Sequence, residues 1–224
     1  GMAGNGPLIE LASLKEYVSD KNIKNIFWIY FERNDLNDLK REKKNETLIK
    51  YLRKNFSQQL NKKQDQINNI VKKIILEKEK KLKTNSSEKK IYNSSSFQKI
   101  IRLQIVRDKT AFDRGLDFGV DPLFEKIIIK AKKFAEEKNS KFYFIYLPDK
   151  ESFKKNNINK KNFLKKQQVL EILKKNNINI IDINSTLFLK AEDPLALFAH
   201  KIYGHYSSDT YLKIAEIITN YIDQ

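Results

Sequence analysis

The chain of 224 residues contains no cysteine, which excludes disulfide staples and thiolate metal sites and leaves the compartment undecided. No apolar run reaches the roughly 18–20 residues of a membrane span. Nothing near the N-terminus reads as a signal peptide, and Gly1-Met2 looks like a tag-removal glycine before a start methionine. Arginine is scarce among the basic residues, and neither an Arg-rich arm nor an aromatic RNA-binding signature is present. The net charge of +16 rests mostly on lysines scattered through helical stretches rich in Asn and Ile. It reads as a solvated lysine surface, the kind that A/T-rich codon usage produces, and nucleic acid is not an expected partner. Histidine is the other scarcity: the chain has two, His200 and His205.

What remains is 40% hydrophobic, enough for one domain with a sizeable core or one core plus a helical insertion. Pro7 followed by Leu8, Ile9, Leu11, Ala12, Leu14, Tyr17 and Val18 predicts an amphipathic helix over residues 7–18. Residues 23–31 are so continuously β-branched and aromatic that they read as a strand buried on both faces, the parallel-sheet type. Helical stripes follow at Leu48, Tyr51, Leu52, Phe56 and Leu60, and at Ile67, Ile70, Val71, Ile74 and Ile75. Residues 83–96 lack periodicity and read as a loop, and Phe97 to Val106 resumes a helix. After the glycine turns at Gly115 and Gly119, a helix runs from about Pro122 to Glu137. A second apolar strand spans 142–147 and a helix lies near 160–175. A third strand spans 178–183, and the last helix carries Tyr211, Leu212, Ile214, Ala215, Ile217, Ile218, Tyr221 and Ile222. Ser207 or Ser208 is placed to cap it. This order implies right-handed crossovers and a thin, three-stranded parallel sheet.

In an open parallel sheet, sites form beyond the carboxyl ends of the strands. The first strand ends in Glu32-Arg33-Asn34-Asp35, the second in Pro148-Asp149, and the third leads through a loop to His205. Asn34, Asp35 and His205 are therefore expected at one edge of the sheet. An Asn amide there can donate to a developing oxyanion, and a histidine can move a proton. Taken singly, Asn-Asp after a strand also serves as a turn and helix cap, and a histidine before a terminal helix also serves in packing.

Glu32-Arg33-Asn34-Asp35 closing an apolar strand resembles the third block of the SGNH (GDSL-type) hydrolases, Gly-x-Asn-Asp. Gly4-Asn5-Gly6 before a helix resembles their second block. Gly204-His205-Tyr206, with Tyr211 and Ala215 beyond, resembles their last. The resemblance covers essentially the whole chain, with residues 40–135 as an enlarged helical insertion in a single domain. It implies a flavodoxin-like three-layer α/β/α sandwich with a parallel sheet lacking its first strands. It also implies an oxyanion hole from the Gly4 N–H and the Asn34 amide, and His205 as base. The implied chemistry is serine-nucleophile ester hydrolysis or acyl transfer on an acyl ester or acylated glycan, with no cofactor and no metal.

Three departures shape the expectation. Nothing in the chain matches the Gly-Asp-Ser block that carries the nucleophile, which belongs upstream of Gly4; Ser13 lies inside a helical stripe and Ser19 at its end. The positions two and three residues before His205 hold Tyr203 and Ile202, and Asp193 is the nearest acid on that loop. Arg33 stands where the family has glycine, so it either crowds the pocket or binds an anionic substrate. The chain is thus expected to be inactive by itself, with an exposed edge at residues 26–31 that pairs with a second copy or docks an N-terminal segment. Membrane contact is expected only through sequence upstream of Met2. The alternative is a non-catalytic SGNH-like interaction domain, binding anionic surfaces or glycans through the lysine-rich helices between residues 40 and 85.

Overall fold

The structure, a computed structural model, describes residues 4–18, 21–84, 119–154, 160–201 and 204–223. The chain divides into two compact units, Gly1–Gln58 with Phe118–Gln224, and Gln59–Asp117. The first unit is a mixed α/β fold in which one parallel sheet separates two helical layers. Its strands are β1 (Asn25–Phe31), β2 (Lys141–Leu147) and β3 (Asn179–Asp182), in the order β1-β2-β3. Both pairings are parallel, with Ile29 beside Ile145 and Ile145 beside Ile181.

One face of the sheet is covered by α1 (Pro7–Tyr17), α2 (Asp35–Glu42), α5 (Pro122–Glu137) and α6 (Lys160–Lys175). Leu8 and Leu11 of α1, and Phe124 and Ile128 of α5, close over Trp28, Tyr30 and Phe144. A short helix, α3 (Glu46–Lys50), follows α2 in the chain. The other face carries α7 (Ile183–Thr186), four 3₁₀ turns (Lys150–Phe153, Phe188–Lys190, Pro194–Leu197 and Ala199–Lys201) and the terminal helix α8 (Ser208–Ile222). These pack Phe188, Phe198, Tyr206 and Ile214 onto Tyr143 and Ile145. In the second unit the described part is a 3₁₀ turn, Asn61–Lys63, running into α4 (Gln64–Thr84).

Local chemistry sets the element ends. Asp121 caps α5 by accepting the Leu123 N–H at 3.0 Å, with Pro122 in the first turn. Ser207 caps α8 by accepting from Thr210. Both α5 and α6 close on an asparagine in the left-handed region, Asn139 (φ 57°) and Asn177 (φ 51°), where glycine is the usual choice. The following N–H groups, of Ser140 and Ile178, return to the carbonyls of Ala135 and Leu173. The stripe from Leu48 to Leu60 is not one helix. α3 stops at Lys50, and a turn brings Tyr51 back so that its hydroxyl donates to the buried Glu16 carboxylate at 2.7 Å. The helix expected at 97–106, Gly115, and all but the first two residues of the loop expected at 83–96 lie outside the described residues; residues 83 and 84 continue α4.

β1 departs from the reading of a strand buried on both faces. β2 is buried from Phe142 to Tyr146, but β1 alternates: Ile26, Trp28 and Tyr30 are buried, while Phe27 is 37% and Ile29 43% exposed. The reason is position. β1 is an edge strand, and α8 reaches across β2 without covering the second face of β1. The Glu32 N–H bonds the Leu147 carbonyl and the Lys24 carbonyl accepts from Lys141, so the even-numbered residues of β1 turn their main chain toward β2. Asn25, Phe27 and Ile29 then direct theirs outward, and among the described residues no strand pairs with that edge. The Phe31 N–H is taken by the Asp35 carboxylate at 2.9 Å.

The paired isoleucines test this asymmetry. Ile145→Ala is expected to cost about 2–5 kcal/mol in urea unfolding, and Ile29→Ala under about 1 kcal/mol. Equal costs would mean that the second face of β1 is covered.

Candidate active site at the carboxyl edge of the sheet

The carboxyl ends of β1 and β2 are tied by Glu32. One of its carboxylate oxygens accepts the Asp149 N–H at 2.7 Å and the Ser152 hydroxyl at 2.9 Å, and the Tyr146 hydroxyl also bonds this group. Burial pushes the Glu32 carboxyl up, and the bonds from Asp149 and Ser152 pull it back. Beside it the Arg33 guanidinium lies 4.0 Å from the buried Asp149 carboxylate. Burial raises that carboxyl too, opposed by the Arg33 charge.

The loop before α8 comes to the same place. The buried Tyr206 hydroxyl donates to the Pro148 carbonyl at 2.6 Å, and Tyr206 pairs with Phe198 in an antiparallel bridge. The His205 carbonyl accepts from the Ala199 N–H at 2.9 Å. Gly204 lies so close to Arg33 that a Cβ there would stand 2.7 Å from Nη1. His205, held between these two anchored neighbours, is exposed. The Gly204–Tyr206 loop and the turn after β1 are therefore neighbours, as the topology predicts.

Asn34 occupies the N-cap position of α2 but makes no capping bond. Its amide donates to Asp38 at 2.6 Å, and Asp38 is also paired with Arg41. The Gly4-Asn5-Gly6 segment reaches the other side of the same residue: a Cβ on Gly6 would fall 2.7 Å from the Asp38 Cβ. The Glu42 carboxylate accepts the Gly6 N–H at 2.6 Å and the Leu8 N–H at 2.9 Å, an acidic cap on α1. Gly4 itself is exposed in a left-handed turn (φ 83°) with nothing within 4 Å of a Cβ position. Asp38 thus stands between Asn34 and Gly6, whereas Gly4 makes no close approach to either.

The other residues weighed from sequence have plainer places. Asp193 caps the turn Pro194–Leu197 through the Leu195 N–H at 3.0 Å. His200 is exposed with a left-handed backbone (φ 52°). Ser13 is exposed on α1. Ile202, Tyr203 and Ser19 lie outside the described residues. The serines at this edge are occupied, Ser152 by Glu32 and Ser207 by its cap. Among the described residues no cluster of histidines and acids could hold a metal ion.

Sequence reading missed the polar frame: Glu32 as a tie, Tyr206 as an anchor, and the acids around α1. A carboxylate ending an apolar strand and an Asn34-Asp38-Glu42 spacing of four were the available signals. No protein-family model, curated protein or solved structure matches the chain.

The acids between α1 and α2 make stability depend on pH. Glu10, whose buried Oε2 has no hydrogen-bond partner, is pushed from 4.5 up to about 9, first by burial and then by the charges of Asp35 and Glu42. Asp35 rises to about 7 by burial, opposed by the Phe31 N–H. The folded chain then binds more protons than the unfolded one between these values, so stability is full below the unfolded value and falls as pH rises toward 9. Glu10→Gln should leave the melting temperature near wild type at pH 4–5 but raise it above wild type at pH 8–9. Parallel melting curves across that range would show that Glu10 holds no such proton.

Proposed function

We propose that the chain supplies the base and the oxyanion-binding part of an SGNH-type site for ester hydrolysis or acyl transfer. The nucleophilic serine enters on a strand added to the outer edge of β1. The observation that carries this reading is the meeting of the turn after β1 with the Gly204–Tyr206 loop at the carboxyl edge of the sheet, where Gly204 lies against Arg33 and Tyr206 is bonded to Pro148. The proposal puts a reacting group there between His205 and the Asn34 amide.

In this reading His205 takes the proton of the serine hydroxyl as its oxygen attacks the acyl carbonyl carbon. The electron pair moves to the carbonyl oxygen, which the Asn34 amide stabilises with the Gly4 N–H. Asn has two amide hydrogens, and the bond to Asp38 uses one and fixes the plane in which the other points. His205 returns the proton to the leaving alcohol. Water, or a second alcohol in a transferase, then removes the acyl group by the reverse steps. Gly4 needs the added strand or the substrate to close on Asn34, since no contact of the described residues joins the two.

The open edge favours a parallel strand as the source of the serine. Its outward main-chain groups come from Asn25, Phe27 and Ile29, and the exposed Phe27 and Ile29 side chains offer an apolar surface beside it. Pairing of β1 with a second copy would occupy the same groups and is the competing outcome.

A fluorophosphonate that marks activated serines tests this directly. The chain by itself should stay unlabelled, and a version extended at its N-terminus by a strand ending in Gly-Asp-Ser should be labelled. In the extended protein Asn34→Ala should lower kcat for a short acyl ester by about 10²–10³, and His205→Ala should abolish turnover. Turnover by the unextended chain that survives Ser13→Ala, or labelling of the extended protein that ignores His205→Ala, would defeat the proposal.

A further inference from the structure

α4 presents a different unsatisfied surface, in the unit that does not contain the candidate site. Every described side chain from Asn68 to Lys80 is exposed. Yet the helix carries aliphatic residues at helical spacing: Ile67, Ile70, Val71 and Ile74, with Ile75 at the border. Ile70 is 56% and Ile74 46% exposed, Ile67 is half-buried, and among the described residues no element covers the stripe from Ile70 to Ile75. Lys72, Lys73 and Lys80 fall on the opposite face, and Lys78 continues the line of the stripe, where its long stem can lie flat and lift the ammonium clear. Glu77 sits at the border, and Glu79 and Leu76 lie on the lysine face. Between residues 59 and 84 there are eight lysines against three acids.

We propose that α4 binds the surface of an anionic lipid bilayer, lying in the interface with the Ile67–Ile74 stripe among the acyl chains. Three features select this occupant. The charge is cationic, so the partner is anionic. The stripe is aliphatic and open from Ile70 to Ile75, and among the described residues no cleft or aromatic anchor beside it defines a shape, which suits a deformable apolar phase better than a protein pocket. A polyanion such as nucleic acid would satisfy the lysines but leave the isoleucines in water. At 21 residues the helix is long enough to lie across roughly 30 Å of surface, and no described helix is apolar enough to cross the bilayer.

Cosedimentation of the full chain with vesicles decides it. Binding should be strong to phosphatidylcholine vesicles containing about one third phosphatidylglycerol, weak to pure phosphatidylcholine, and reduced by added salt. Ile70→Asp with Ile74→Asp, and separately Lys72→Glu with Lys73→Glu and Lys80→Glu, should each weaken binding at least about tenfold. Neither change touches a buried residue, so melting temperature and circular dichroism should stay at wild type. Equal binding to neutral vesicles, or binding indifferent to the isoleucine changes, would overturn the proposal. So would an oligomer in solution that the isoleucine changes dissolve while the chain ignores vesicles, because the stripe would then be a protein interface.

Discussion

The Glu32 carboxylate is the tie on which the carboxyl edge of this sheet depends. A buried carboxylate without partners would be expensive. Glu32 meets that cost with donors from β2 and the turn beyond it, so the bonds that keep it buried also fix where Asp149 and Ser152 stand. From there the constraint travels in a ring. Pro148 precedes Asp149 and holds Tyr206; Tyr206 holds the loop with Gly204; Gly204 fits under Arg33, the residue after Glu32. Each contact is modest, about 1 kcal/mol for a typical hydrogen bond. Closing the ring makes them cooperative, because loosening one displaces the next. His205, between Gly204 and Tyr206, takes its place from that ring.

The sheet is lopsided for a related reason. One face is covered by four helices, and the central strand is buried on both sides. β1, at the margin, is finished on one face only. Its outward N–H and C=O groups and its two bare apolar side chains make the same demand, since a strand laid there would satisfy the first and its covering layer the second. Edge strands in stable monomers are usually blunted by charge, proline or a bulge. β1 has none of these between Asn25 and Phe31, and its sequence is as apolar as that of a central strand. That apolarity misled the reading of its burial. Composition reports what a strand is suited to, whereas exposure depends on which neighbours are present.

The legible part of the fold was the part governed by periodicity. β2 and β3, α5 and α6 were readable to within a residue or two because apolar spacing and Pro-led helix starts are local signals. The approach of the turn after β1 to the Gly204–Tyr206 loop was readable from topology, since all three parallel strands deliver their ends to one edge. What sequence withheld was pairing between distant polar groups. Nothing local in Tyr206 names the Pro148 carbonyl, and nothing in Glu42 names the first N–H groups of α1. Asn34 is the instructive case. Its place after a strand suggests a cap through Oδ1, but its Nδ2 donates to the Asp38 carboxylate one turn later, and that charge-assisted bond turns the side chain away from the helix N–H groups.

Among the described residues, the edge of β1 and the stripe on α4 lack partners, and physics separates what each can accept. The edge of β1 is directional: its demand is a row of hydrogen bonds at fixed spacing, which only another extended backbone fulfils. The stripe on α4 is non-directional, apolar area with cations nearby, and any fluid phase of matching polarity meets it. A strand could not satisfy α4, whose main chain is already bonded within the helix, and a lipid surface could not satisfy β1, whose exposed N–H and C=O groups would be stranded in hydrocarbon. Under the two proposals the first demand is met by an added strand and the second by a lipid surface. The two can be altered independently, since Phe27 and Ile29 belong to one compact unit and Ile70 and Ile74 to the other.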